Sequence, residues 1–324
     1  MNRLSLNYVF SLAALFVIGV LYDKYKSKLK TDEDADQYDI VQKFLLNESP
    51  LGFNNTKPIM WVHLVYDINS RWWPSFGSRN TDDLNQPYQF LTLKSLIDTC
   101  GEDFNICLIE DDTFGKLLPN WNINMRIVAD PIRSKLRELA LAKLLYAYGG
   151  FTLPSSFLAF KSLKSTYEKN TNNGAMFVGE LIDRKSTSQQ VNFFPNSKFM
   201  GCEKNCYMMR EYMSYLETLI SVDYTNESEF LGSTNRWCYD KIIQGGMNML
   251  SADELGVKDS KGKPITIEML IGNTYLDLPS NAKGLYIPAD EILKRTAFQW
   301  FARLSAKQAL ESDTMIGKYL LISR

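Results

Sequence analysis

A chain of 324 residues, 45% hydrophobic and 23% charged, is long enough to bury a sizeable core without staples. Its 36 basic and 37 acidic residues leave a formal net charge of -1, which excludes the basic footprint of a nucleic-acid-binding protein. Five cysteines, an odd number at low density, exclude a disulfide scaffold.

Leu4 to Tyr22 carries no charge, and its length matches the roughly 20 residues a helix needs to cross a bilayer. Charged residues follow from Asp23 with no small-residue cleavage site, so residues 1–22 read as a retained transmembrane helix, not a signal peptide. Lys24, Lys26, Lys28 and Lys30 outweigh Arg3 and the α-amine, which places the body on the cytoplasmic side. Sequons at Asn47, Asn54 and Asn226 would matter only in a secretory lumen, and the charge argument is preferred to them. Residues 23–56 form a charged linker whose stretch Asp32-Glu33-Asp34-Ala35-Asp36 reads as a solvated spacer.

The body, residues 57–324, opens with a buried strand at Ile59–Tyr66. Tyr88, Leu91, Leu93 and Leu96 give Leu84–Ile97 a helical spacing, and Phe104–Ile109 is a second buried strand. Asp111 or Asp112 is placed to cap a short helix over Thr113–Leu118. Arg126–Val128 reads as a third short strand. In Arg133–Tyr148, Leu136, Ala140, Leu144 and Ala147 share one face, and Gly149-Gly150 ends this helix before a strand at Phe151–Leu153. The alternation of strand and helix implies an α/β fold with a mainly parallel sheet covered by helices. Further on, Ala175–Gly179 reads as a strand, Tyr207–Ile220 and Arg236–Ile243 as helices, and Ile292–Leu321 as helical pieces.

Candidate chemistry gathers at few places. Glu110 and Asp111 follow a strand end, where α/β sheets place their ligands, although a helix cap explains them more simply. In the loop Asn69–Asn80, Arg71 and Arg79 suit phosphate and Trp72 suits a base or sugar face. His63, inside an apolar strand, reads as a core histidine with one hydrogen bond. Cys202 and Cys206 would need two further ligands to hold zinc, and His63 is the only histidine.

Leu136–Phe157 resembles the sugar-binding, DXD-motif class of glycosyltransferases, nucleotide-diphospho-sugar transferases with a GT-A fold. Tyr148-Gly149-Gly150 matches the family's turn, and Phe104–Asp111 and Leu117-Leu118-Pro119 look like its second-strand region. The resemblance implies a GT-A-like body, with residues 57–165 as the nucleotide-sugar half and 166–324 as a second half. In that family an Asp-x-Asp at the strand end holds Mn²⁺ or Mg²⁺, which neutralises the diphosphate leaving group. Here Pro154 and Ser156 occupy the two aspartate positions, so no metal cofactor is expected unless another acidic site is used. The family's nucleotide-contacting acid falls on Glu138.

The resulting expectation is a membrane-anchored, glycosyltransferase-like pseudoenzyme that serves as a binding or structural module. Its expected partners are the membrane, a nucleotide sugar and proteins of a membrane-associated assembly. The competing expectation is an active metal-independent glycosyltransferase, with Arg71 or Arg79 on the diphosphate and Glu110 or Asp111 as base. The lysine- and asparagine-rich chain also resembles those of large DNA viruses, which implies a virion or host-membrane setting.

Overall fold

The structure, a computed structural model, describes residues 57–65, 86–181, 193–222 and 232–323. The expected anchor, the linker, Arg71, Trp72 and Arg79 lie outside the described residues.

In chain order the first half comprises β1 (Ile59–His63), α1 (Gln89–Cys100), β2 (Asn105–Ile109), α2 (Phe114–Leu117), α3 (Ile132–Tyr148), β3 (Gly150–Pro154) and β4 (Phe157–Ala159). Then follow α4 (Lys164–Thr171), β5 (Phe177–Glu180), β6 (Pro195–Cys202), α5 (Tyr207–Ser221), α6 (Gly232–Ile243) and β7 (Asn248–Leu250). The remainder is α7 (Ile267–Ile271), β8 (Gly284–Tyr286), α8 (Ala289–Lys294), α9 (Gln299–Ala302), α10 (Ala306–Glu311) and α11 (Met315–Ile322).

Among the described residues, six strands form one sheet in the order β2-β1-β3-β6-β5-β7. β1 runs parallel to β2 and β3, and β5 runs parallel to β7. Only β6 opposes its neighbours, β3 on one side and β5 on the other. The sheet is therefore mainly parallel, as the alternation of elements requires. β4 and β8 pair antiparallel as a separate ribbon.

The apolar stripe of α3 packs Leu136, Ala140 and Leu144 with Trp61 and Cys107 of the sheet and Tyr212 and Leu216 of α5. A second core joins Leu158 and Leu285 of the ribbon to Ile292, Phe301, Ile316 and Leu320 of the C-terminal helices. No helix among the described residues is long and apolar enough to cross a membrane.

Two local expectations are corrected. Arg126–Val128 forms turns, not a strand. The Asn124 side chain takes the Arg126 N–H and the Asn124 carbonyl takes the Ile127 N–H, so local bonds consume the donors a ladder would need. The cap after β2 is Glu110, because Asp111 and Asp112 lie inside the 3-10 turn Asp111–Thr113. Glu110 alone has the extended backbone of a cap, and it exchanges hydrogen bonds with Thr113 in a capping box.

The turn between α3 and β3 is held from several sides. Gly149 takes a positive φ of 74° while its N–H caps the Leu145 carbonyl. Gly150 has φ of 106°, and a Cβ there would stand 2.1 Å from the Ile59 carbonyl oxygen. The Trp61 indole donates to the Gly149 carbonyl at 3.0 Å, and the Tyr148 hydroxyl donates to the Leu117 carbonyl at 2.7 Å.

Gly150→Ala combines a strained φ with a clash against backbone, so it should cost about 2–4 kcal/mol. The loss is read as a lower urea midpoint with unchanged slope, and a midpoint within error of the parent would contradict the packing described here.

Candidate functional site

The C-terminal ends of β2, β1 and β3 lie side by side, with His63 level with Ile109 on one side and Pro154 on the other. Ligands of α/β sheets bind at this edge. Asp111 stands just beyond β2, and both of its oxygens are engaged. His63 Nε2 lies 2.9 Å from Oδ1, and Arg137 on α3 reaches both oxygens through Nε (2.9 and 3.1 Å) and Nη2 (2.7 Å). The His63 ring stacks on Phe114 at 5.3 Å.

Burial alone would push the Asp111 carboxyl up. The hydrogen bonds and charges of His63 and Arg137 together outweigh it and leave the group well below the usual carboxylate range. A carboxylate so weakly basic is poorly matched to general base chemistry near neutral pH. Asp112 pairs with Arg126 at the surface, and Glu110 is tied into its capping box.

Glu138 is likewise occupied. Its carboxylate accepts from the Tyr212 hydroxyl at 2.6 Å and from the Ser197 hydroxyl, with Lys135 at 4.0 Å. Those bonds join α3 to α5 and β6, which gives the residue a structural employment in this state.

At the end of β3 the residues do not fit a divalent metal. Proline supplies no side-chain ligand at position 154. Ser155 Oγ donates to Gln89 Oε1 at 2.8 Å, and Ser156 Oγ donates to the Ile287 carbonyl at 2.7 Å. Mn²⁺ and Mg²⁺ need carboxylate oxygens, and no acid occurs between Ala140 and Tyr167. Among the described residues no group of three His, Cys, Asp or Glu side chains could hold a metal ion. Cys202 and Cys206 are buried free thiols whose sulfurs face the Leu145 and Gly174 carbonyls.

The same corner contains a cation that pattern reading overlooked. β3 and β6 pair as far as Thr152 and Met200, and Lys198 lies two residues before Met200 on β6, where the pairing with β5 is irregular. Lys198 Nζ lies 2.5 Å from Asp290 Oδ2 and 3.5 Å from the Tyr286 hydroxyl. Tyr286 belongs to β8 and pairs with Phe157, the residue after Ser156. Tyr286 and Asp290 together hold the Lys198 ammonium above the usual lysine range, so it stays charged.

The side chains of Lys198 and Asp290 are 41% and 61% exposed, and such a pair contributes only about 0.2–1 kcal/mol. Nearby, Gln86 is buried and donates through Nε2 to the Ala289 carbonyl at 3.1 Å, while its Oε1 has no partner among the described residues. The Tyr88 hydroxyl is buried beside the Gln89 side chain. The sequence signal for Lys198 was faint, because Pro195-Asn196-Ser197-Lys198 lacks the apolar run of a strand.

No protein-family model matches the chain, and no curated protein matches it. Among solved structures, mouse xyloside xylosyltransferase 1 in its apo form overlaps 72% of this chain and 98% of its own, at 9% identity and a TM-score of 0.42. A glycosyltransferase involved in glycosylation of the major capsid of PBCV-1 overlaps 63% of this chain and 88% of its own, at 10% identity and 0.36. The galactosyltransferase LgtC, in complex with donor and acceptor sugar analogs, overlaps 60% and 74%, at 12% and 0.32.

Replacing Asp111 by Asn leaves the half-buried Arg137 guanidinium without its carboxylate. At pH 7 this should lower stability by about 1–3 kcal/mol, less than for a fully buried pair because both groups keep some solvent. The folded-state pKa of Asp111 is depressed, so its contribution is complete above the unfolded value near 3.9 and fades as pH falls towards the folded value. The gap in urea midpoint between parent and Asp111→Asn should therefore shrink from about pH 4 downwards. A gap that stays constant to pH 2 would contradict the assignment.

Proposed function

We propose that this chain is a membrane-anchored, glycosyltransferase-like protein that binds a nucleotide-sugar-type ligand without a divalent metal, as a binding or structural module. The carrying observation is the condition of the carboxylates at the sheet edge. Asp111 is bound by His63 and Arg137, Asp112 by Arg126, and Glu110 by its own capping box. The strand end that would carry two metal-binding aspartates reads Pro154-Ser155-Ser156, with both hydroxyls engaged inside the protein.

The turn that resembles the DXD class, Tyr148-Gly149-Gly150, meanwhile keeps two glycines at positive φ. A scaffold kept without its metal ligands supports binding over metal-dependent transfer. With every carboxylate described at this edge already paired, binding is also preferred to metal-independent transfer. Residues 1–22 are proposed as the anchor, with the body on the cytoplasmic face of a host or virion membrane.

Two measurements test this reading. The full chain, in a detergent free of sugar, is heated with UDP-glucose, UDP-galactose or GDP-mannose, each in EDTA and in Mn²⁺. At least one donor should raise the melting temperature equally in both, since a ligand at a hundredfold excess over Kd adds about 2.7 kcal/mol. A shift that appears only with Mn²⁺ would overturn the metal-free reading, and no shift in either would overturn nucleotide-sugar binding. For topology, expression in a eukaryotic host should leave Asn54 and Asn226 unmodified. Glycans on either would place the body in the lumen instead.

A further inference from the structure

We propose that Cys202 and Cys206 form a reversible redox pair, in which a peroxide oxidises Cys206 and Cys202 then closes on it as a disulfide. This goes beyond the binding reading above and does not depend on it. Cys202 ends β6 and Cys206 stands at the N-cap of α5, with the exposed turn Glu203-Lys204-Asn205 between them. Asn205 takes a left-handed φ of 61°, and the turn returns the chain so that the two sulfurs come within hydrogen-bonding reach of each other. The turn is pinned to the end of α3. The Asn205 N–H donates to the Tyr146 carbonyl at 2.8 Å, and a Cβ on Gly149 would stand 2.8 Å from the Lys204 nitrogen. Closure asks for no new space, since it removes two hydrogens and draws two neighbouring sulfurs together to about 2 Å.

The two sulfurs are unequal. The Cys202 thiol donates towards Cys206 and, with the Met209 and Met208 N–H groups at the head of α5, draws the Cys206 thiol below the usual cysteine range, against its burial and the Glu203 charge. The Gly174 carbonyl, 3.3 Å from Cys206 Sγ, opposes ionisation and is outnumbered. The same contact with Cys206 holds Cys202 as a thiol. Cys206 also keeps 5% of its surface in solvent, beside the exposed Asn205 and Tyr207, an approach that the fully buried Cys202 lacks. Cys206 is therefore the first sulfur to react. Its thiolate takes one oxygen from hydrogen peroxide as the O–O bond breaks, and the departing hydroxide gains a proton from solvent as water. The Cys202 sulfur then attacks the Cys206 sulfenic acid, the S–O bond breaks, and the leaving hydroxide takes the Cys202 proton as a second water. The pair has lost two electrons to the peroxide, and a dithiol reductant returns them. Burial pushes the thiols of Cys100, Cys107 and Cys238 up, so they serve as internal controls. Inert burial accounts for those three, and it does not account for two sulfurs in contact at a helix N-cap.

The test is a peptide map of the full chain in detergent. The reduced chain is titrated with hydrogen peroxide at pH 7, blocked with N-ethylmaleimide in urea, and cut by trypsin after Lys198, Lys204 and Arg210. One disulfide should join Phe199–Lys204 to Asn205–Arg210, and dithiothreitol should release it, while Cys100, Cys107 and Cys238 remain alkylated. Cys206→Ser should slow the loss of thiol at least about tenfold, and Cys202→Ser should stop at a sulfenic acid on Cys206 that dimedone captures. All five thiols still free at a peroxide dose that oxidises methionine would overturn the pairing. Loss of all five at one rate would overturn it as well, by exposing unfolding in place of a site. Dimedone on Cys202 in Cys206→Ser, at the parent's rate, would overturn the order of the two sulfurs. The peptide map is read on the unsubstituted chain, so it stands whatever the variants do to folding.

Discussion

The close approach of Gly150 to the Ile59 carbonyl is the constraint from which the rest of the sheet edge follows. Because Gly150 has no Cβ, the start of β3 can lie directly against β1. Trp61 fixes the turn from below through the Gly149 carbonyl, and Tyr148 ties it to the end of α2. With that turn in place, His63 and Pro154 must be neighbours, and Arg137, three turns back along α3, is aimed at Asp111.

Charge at this edge is balanced locally and by different means in different places. The Asp111 cluster is half-buried and bidentate, so breaking it is costly and its carboxyl is held strongly ionised. The Lys198–Asp290 pair is exposed and weak, and can open without endangering the fold. The consecutive acids Glu110, Asp111 and Asp112 are each engaged within the protein.

Much of the first half of the body was legible from its pattern. Ile59–His63, Asn105–Ile109 and the strand after Gly150 are buried runs of strand length, and α3 has an apolar face with a glycine stop. The reading of His63 as a histidine with one hydrogen bond also held, although its partner could not be foreseen. The cap assignment slipped by one residue, because three consecutive acids look alike in sequence and only the backbone conformation separates Glu110 from its neighbours. β4, β6, β7 and β8 were invisible. Three of them have only three residues, and β6 begins with a polar half.

The sequence by itself determined the covalent limits of the chemistry: no acid between Ala140 and Tyr167, a proline and a serine at the two family positions, and glycines where the α3–β3 turn needs them. It also determined most of the order of strand and helix as far as β3, since periodicity is a local property of neighbouring residues. Only the tertiary structure decided which charges meet. His63 and Asp111 are 48 residues apart, Lys198 and Asp290 are 92 apart, and the reversal of β6 between β3 and β5 is a choice of pairing. Pairings of that range are set by sheet register and by the burial of the whole core, which no local stretch of sequence encodes.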